Sequence, residues 1–294
     1  MSPWPLDGCA EIRNRRAVAR RQPAKLRAGF TMIEMIFSMS ILSFSAAVFG
    51  GLMLAISSAW DFSTALEDSR RQAQTTLGRI KWMVQQAGIY KVSGQSTTLG
   101  LAVIATNWGS FQAPTTLVVW SGGSNGGLSA LGLQPRLPLA SELVVYTLDP
   151  TTPARFVEIT FPGNLTTVDL RAASLTTTIQ SLLTSGSPQK VLLCDRLHVT
   201  MPQLSSQPNI GDARFELNSS PTDSQISSVI LGSQAWNALP WGQGLVGADR
   251  GLRTTNVRIE LMLDPDPKNP TTSGGYTTAV PFFGSVNRQY VHQP

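Results

Sequence analysis

Four sets of side chains in this 294-residue sequence have types and spacings that could do chemistry. Cys194 and His198 stand four apart, close enough along one element for a thiol and its base, or for two metal ligands. Gly242-Gln243-Gly244-Leu245-Val246-Gly247 satisfies the glycine pattern with which a strand-turn-helix approaches a pyrophosphate. Asp264, Asp266 and Asn269 present oxygen donors for calcium in a loop spaced by Pro265, Pro267 and Pro270. Glu34 differs from these, as a lone acid followed by the 26 residues Met35 to Trp60 without a formal charge.

Context weakens the first three. Leu239-Pro240-Trp241 precedes the glycine string and Ala248-Asp249-Arg250-Gly251 follows it, so neither strand nor helix flanks it, and it reads as a Gly-rich loop. The Cys194/His198 pair lacks a third group, since His292, the only other histidine, lies in the C-terminal tail; an ordinary half-buried strand face is expected. The oxygen donors lack the loop pattern of an EF-hand, and the prolines suit a plain turn. No catalytic set and no cofactor is therefore expected, with calcium at Asp264, Asp266 and Asn269 as the weak option.

Glu34 sits at the start of an element with a clear purpose. A helix over Phe30 to Ile56 is about 40 Å long, against a hydrocarbon core of roughly 30 Å. An ionisable residue at its edge is a site by default, because lipid supplies no partner for a charge. Arg13, Arg15, Arg16, Arg20, Arg21, Lys25 and Arg27 crowd the N-terminal side, so the leader is expected in the cytoplasm and the remainder across the inner membrane. Those seven cations, less Asp7 and Glu11, account for the whole net charge of +5, and the rest of the chain balances 16 basic against 16 acidic residues. A body with no net charge and no basic stripe excludes nucleic acid as an expected partner. Once a leader holding Cys9 is removed, Cys194 is left without an intramolecular disulfide partner.

Arg27-Ala28-Gly29-Phe30-Thr31-Met32-Ile33-Glu34-Met35 resembles the processing signal of type IV prepilins and type II secretion pseudopilins: a basic leader ending in glycine, then Phe, Thr, two aliphatics, Glu and an apolar stretch. The resemblance covers Arg27 to about Trp60. It implies cleavage after Gly29 by a prepilin peptidase/methyltransferase, N-methylation of Phe30, and pairing of Glu34 with the Phe30 ammonium of a neighbouring subunit as the helix enters a filament. Gly29 has no side chain to obstruct a peptidase, and methylation preserves the charge of the new N-terminus. Other pilin or pseudopilin subunits, the inner-membrane assembly platform and membrane lipid are the partners so implied. Arg79 to Gly88, ending in Gln-Gln-Ala-Gly, is similar to the corresponding part of J-class minor pseudopilins and W-class minor pilins. A signal-anchored extracytoplasmic β domain that binds or adheres, with the helix as a mere tether, is the alternative.

From Trp60 to Gly88 the sequence reads as a continuing amphipathic helix, with Phe62, Leu66, Ala73, Leu77, Ile80, Val84 and Ala87 at spacings of three, four and seven. Gly50 and Gly51 weaken the first half, or Gly50 forms a small-residue packing face with Ser43, Ala46 and Ala47. Beyond Gly88 the period becomes two, predicting antiparallel strands at 116–120, 143–148, 156–161, 191–201, 213–218, 257–263 and 278–283, with irregular loops at 121–141 and 219–256. The expected fold is α+β, a long N-terminal helix packed on a mostly antiparallel β domain. Its expected segments are a leader at 1–29, a transmembrane half-helix at 30–60, an amphipathic half at 61–88 and a β-rich extracytoplasmic domain at 89–294.

Overall fold

The computed structural model describes residues 30–108, 111–123, 132–185, 187–200, 209–265 and 279–294. The leader 1–29, with Gly29, and the calcium candidates Asp266 and Asn269 lie outside the described residues. The chain divides into two units, one ending at Ile56 and one from Ser57 to Pro294.

Helix α1, Met32–Gln85, contributes its first part to the N-terminal unit. Every large apolar side chain there is exposed, from Phe30 and Met32 to Leu54 and Ile56. A helix that is apolar all round is at rest only in lipid or among other apolar helices. Ser38 and Ser40 donate their hydroxyls to the carbonyls of Glu34 and Ile36 at 2.7 and 2.9 Å, so neither needs water.

In the second unit the same helix becomes amphipathic and meets a sheet. Its buried face is Ser69, Ala73, Thr76, Leu77, Ile80, Met83 and Val84, which contains the predicted stripe from Ala73 to Val84, whereas Phe62 is exposed. The helix ends at Gln85, three residues before Gly88, whose N–H donates to Trp120 O at 2.8 Å.

After it come β1 (Ile89–Tyr90), β2 (Thr98–Leu99), β3 (Leu101–Trp108), β4 (Phe111–Trp120), β5 (Leu133–Gln134), β6 (Leu143–Leu148), β7 (Phe156–Thr160), helix α2 (Leu175–Ser185) and β8 (Gln189–Cys194). There follow β9 (Val199–Thr200), β10 (Ile210–Gly211), β11 (Ala213–Ser220), the short helices α3 (Asp223–Ser227) and α4 (Gln234–Asn237), β12 (Gly251–Leu263) and β13 (Val280–His292). Two sheets dominate, an antiparallel five-stranded one ordered β3-β4-β6-β7-β8 and an antiparallel three-stranded one ordered β11-β12-β13.

The central strands β4, β6 and β7 of the five-stranded sheet are buried on both faces, which explains the continuous apolar runs Leu117-Val118-Val119-Trp120 and Leu143-Val144-Val145-Tyr146, whereas β8 at its edge is largely exposed. Leu117, Val119, Val144 and Tyr146 point to one core with Ile80 and Val84 of α1 and with Phe215, Ile259 and Leu261 of the smaller sheet. Val118, Trp120, Val145 and Ile159 point to a second core closed by Leu175, Ile179 and Leu182 of α2. Each fully buried aliphatic is worth about 1.5–3 kcal/mol.

The α+β expectation holds, but the reading of everything after Gly88 as strand and loop missed α2 and β3. Leu175, Ile179 and Leu182 have helical spacing, yet the stiff Thr176-Thr177-Thr178 run between them favours extended structure and hid it. The 191–201 strand is broken, as β8 ends at Cys194 and β9 starts at Val199. The irregular 219–256 stretch contains α3, α4 and the first residues of β12. β13 starts at Val280 and runs to His292, far beyond the short strand expected at 278–283.

Candidate functional site

The N-terminal site consists of Phe30, Thr31 and Glu34, at the point where α1 begins. Phe30 is 80% exposed. Thr31 immediately precedes the helix, and its backbone N–H and its hydroxyl both donate to Glu34 Oε2 at 2.9 Å. In return the Glu34 N–H donates to Thr31 Oγ1, at a long 3.4 Å. These reciprocal bonds form a capping box, which satisfies backbone donors that a helix start leaves orphaned. The carboxylate also lies at the positive end of the helix dipole. The expected role of Glu34, as partner of an ammonium, does not include this cap, although its signal, Thr-x-x-Glu before an apolar run, is in the string Thr31-Met32-Ile33-Glu34. Both Thr31 bonds fall on Oε2, so Oε1 accepts no bond among the described residues.

The other sequence candidates are placed apart. The Cys194 thiol is buried and donates to Gln72 Oε1 of α1 at 3.4 Å, and burial pushes its pKa up to about 11. His198 instead faces Asp264 at 3.8 Å and Asp212 at 4.0 Å. The thiol and the imidazole thus have separate partners, and the Asp264 carboxylate is directed to a histidine. Gly242–Gly244 form a single tight turn in which Gln243 has a φ of 54°, and β12 rather than a helix follows at Gly251. A Cβ at Gly251 would overlap the Trp241 indole, so this glycine permits a ring to lie on the backbone.

His292 is not a tail residue. It closes β13, is 1% exposed, and its ring stacks on Trp241 with centroids 6.4 Å apart. Burial lowers its pKa from 6.5 to about 4, and the Arg253 charge acts in the same direction. The unfolded chain therefore binds the extra proton between these two values. Stability from this group is present above pH 6.5 and lost as pH falls toward 4, by on the order of 3 kcal/mol. His292→Phe is expected to flatten that part of the acid limb in urea titrations between pH 4 and 7; an unchanged slope would assign it to carboxylates.

Residues 24–50 match the family model of the prokaryotic N-terminal methylation motif. No curated protein matches the sequence, and no solved structure matches the fold. The matched stretch runs from the basic leader through Phe30 and the capped Glu34 into the wholly exposed apolar part of α1. That motif lies on a helix long and apolar enough to cross a membrane and leads into an α+β domain, an arrangement that supports the likeness to type IV pilins and pseudopilins.

Proposed function

We propose that this chain is a minor pilin or pseudopilin: cleaved after Gly29, N-methylated at Phe30, and built through its N-terminal helix into a type II secretion pseudopilus or a type IV pilus. The match of the methylation motif to residues 24–50 carries the reading. Before assembly the exposed apolar part of α1 is held in the inner membrane, with the domain that follows on the periplasmic or extracytoplasmic side; in the filament, neighbouring helices replace lipid around it. The large β-rich body suits a low-copy subunit, of J-class or W-class type, better than a small major one. Its work is assembly and not catalysis, and its partners are the prepilin peptidase/methyltransferase, other subunits and the assembly platform.

The capping box favours a second reading. Because Thr31 gives Glu34 a role within a single chain, a plain signal anchor for an adhesive or binding domain also accounts for the acid. Intact mass and N-terminal sequencing of protein from host membranes, with and without the prepilin peptidase, separate the two. The expected result is a chain starting at N-methyl-Phe30 only when the peptidase is present. A start at Met1 in both strains overturns the proposal in favour of the tether, and a start near Trp60 makes this a secreted domain.

A further inference from the structure

Far from Glu34 in sequence, the inner face of the smaller sheet turns from apolar to polar toward one end. Along β12 the buried positions run Ile259, Val257, Thr255, Arg253, and along β13 the same face carries Val286, Arg288, Tyr290 and His292. Two cavities open there. The inner one, of about 110 Å³, is lined by Arg253, Arg171, Asp223, Thr98 and Tyr290 among others; the outer, of about 450 Å³, shares Arg171 and Asp223 and adds Ile226, Val229, Leu231 and His292.

The polar groups are under-used. Arg253 is buried, and its guanidinium donates to Pro221 O at 2.8 Å, Asp223 Oδ1 at 2.8 Å and Tyr290 Oη at 3.3 Å. Asp223, its one acidic partner among the described residues, has a side chain 71% exposed. Arg171 spends a single terminal nitrogen on two neutral hydroxyls, Ser96 at 2.8 Å and Thr98 at 3.3 Å, and among the described residues no carboxylate accepts from its guanidinium. From Arg171, Asp169 accepts the backbone N–H at 2.9 Å, beside the Tyr90 hydroxyl at 3.3 Å. Neither ring nitrogen of His292 has a well-aligned hydrogen-bond partner among the described residues, although the Thr97 backbone approaches it. A neutral imidazole left so has one donor and one acceptor to offer.

The geometry points to a binding site for a small monocarboxylate with a short apolar body, its carboxylate held by the Arg171 and Arg253 guanidiniums and its body by Ile226, Val229 and Leu231 beside His292. Guanidiniums match the planar carboxylate through paired N–H donors, and Arg171 has donors to spare. Among the charged side chains that line the two cavities, Arg171 and Arg253 against Asp223 leave a surplus of one positive charge, which suits a monoanion, while the Asp223 carboxylate at the mouth opposes a phosphate dianion. The inner cavity admits a head group and little more, so the rest of the ligand lies in the outer one. This site is independent of how the N-terminus is processed.

The test is a titration of the full chain, purified in a non-ionic detergent at neutral pH and fixed ionic strength, followed by tryptophan fluorescence, with Trp241 against His292 as the reporter. The probes are hexanoate, hexanamide and inorganic phosphate. Hexanoate is expected to bind saturably, hexanamide not at all over the same range, and phosphate about tenfold more weakly or worse. Arg171→Gln, at an exposed position, is expected to weaken hexanoate about tenfold without lowering the melting temperature, and Arg171→Lys to fall between the two. Equal binding of hexanamide would reduce the site to an apolar crevice, and equal binding of phosphate would make it a general anion site. Either result overturns the proposal, as does hexanoate binding that is absent or indifferent to Arg171→Gln.

Discussion

If the chain is processed and assembled as proposed, Glu34→Gln is expected to leave cleavage after Gly29 and methylation of Phe30 intact while lowering the amount of this subunit in sheared filaments by about tenfold or more, the scale of one lost charge-assisted pair. Two roles compete for this acid, and glutamine divides them. As a cap, the side chain needs an oxygen that accepts the Thr31 N–H and hydroxyl, both of which lie 2.9 Å from Oε2, and glutamine supplies one. As the partner of a cationic N-terminus it needs a formal negative charge, which glutamine lacks. The roles are compatible in one residue, because the cap occupies Oε2 and leaves Oε1 without a bond among the described residues. Glu34→Leu loses both roles and should be at least as defective. Filament content should be read by immunoblot beside total membrane content, so that a subunit degraded for want of a cap is not mistaken for one that fails to assemble. Wild-type incorporation of Glu34→Gln together with loss of Glu34→Leu would assign Glu34 to capping alone and remove the charge from the assembly step.

How much of this could be read from the sequence follows from where the physical signal is local. The apolar run from Met35 and the acid before it are one-dimensional facts, and both reappear as helix α1 and its start. Ala73, Leu77, Ile80 and Val84 announced the buried face of the same helix, since one sheet covers one stripe. Strands buried on both faces were legible as apolar runs, and β12 as an alternation, whereas α2 was masked by its threonines. The outer half of β13 was missed for a different reason: Asn287, Arg288, Gln289 and His292 look like a polar tail until 13 paired residues of β12 provide their partners. The same long-range pairing buries Arg253 and His292, so the polar end of the sheet has no signature in either strand alone. The cap at Glu34, by contrast, is local, and its Thr-x-x-Glu signal is legible in Thr31-Met32-Ile33-Glu34.

The firmest tie between helix and sheet in the second unit is expected to be an ion pair, and removing one side of it should be costly. Arg79 of α1 donates from Nε and Nη2 to the two oxygens of Glu158 at 2.9 and 2.8 Å, and Tyr146 Oη donates to the same carboxylate at 3.0 Å. The Glu158 side chain is only 6% exposed, whereas that of Arg79 is 40% exposed and lies over the Trp82 ring. The bonds to Glu158 raise the Arg79 pKa, and burial raises that of Tyr146 well above its ordinary value. The asymmetry in exposure decides which change hurts more. Arg79→Ala leaves a buried carboxylate with one neutral donor and is expected to destabilise the domain by about 3 kcal/mol, the low end for a broken buried pair because water can reach the vacated side. Arg79→Met with Glu158→Leu removes both charges and refills the volume but leaves the buried Tyr146 hydroxyl without its acceptor, so it should recover only part of that loss. Urea unfolding of the full chain in detergent, followed by near-ultraviolet circular dichroism, would measure both. A double variant no more stable than Arg79→Ala would show that the position needs charge for some reason other than pairing, and a single variant losing less than about 1 kcal/mol would class the contact with ordinary surface pairs.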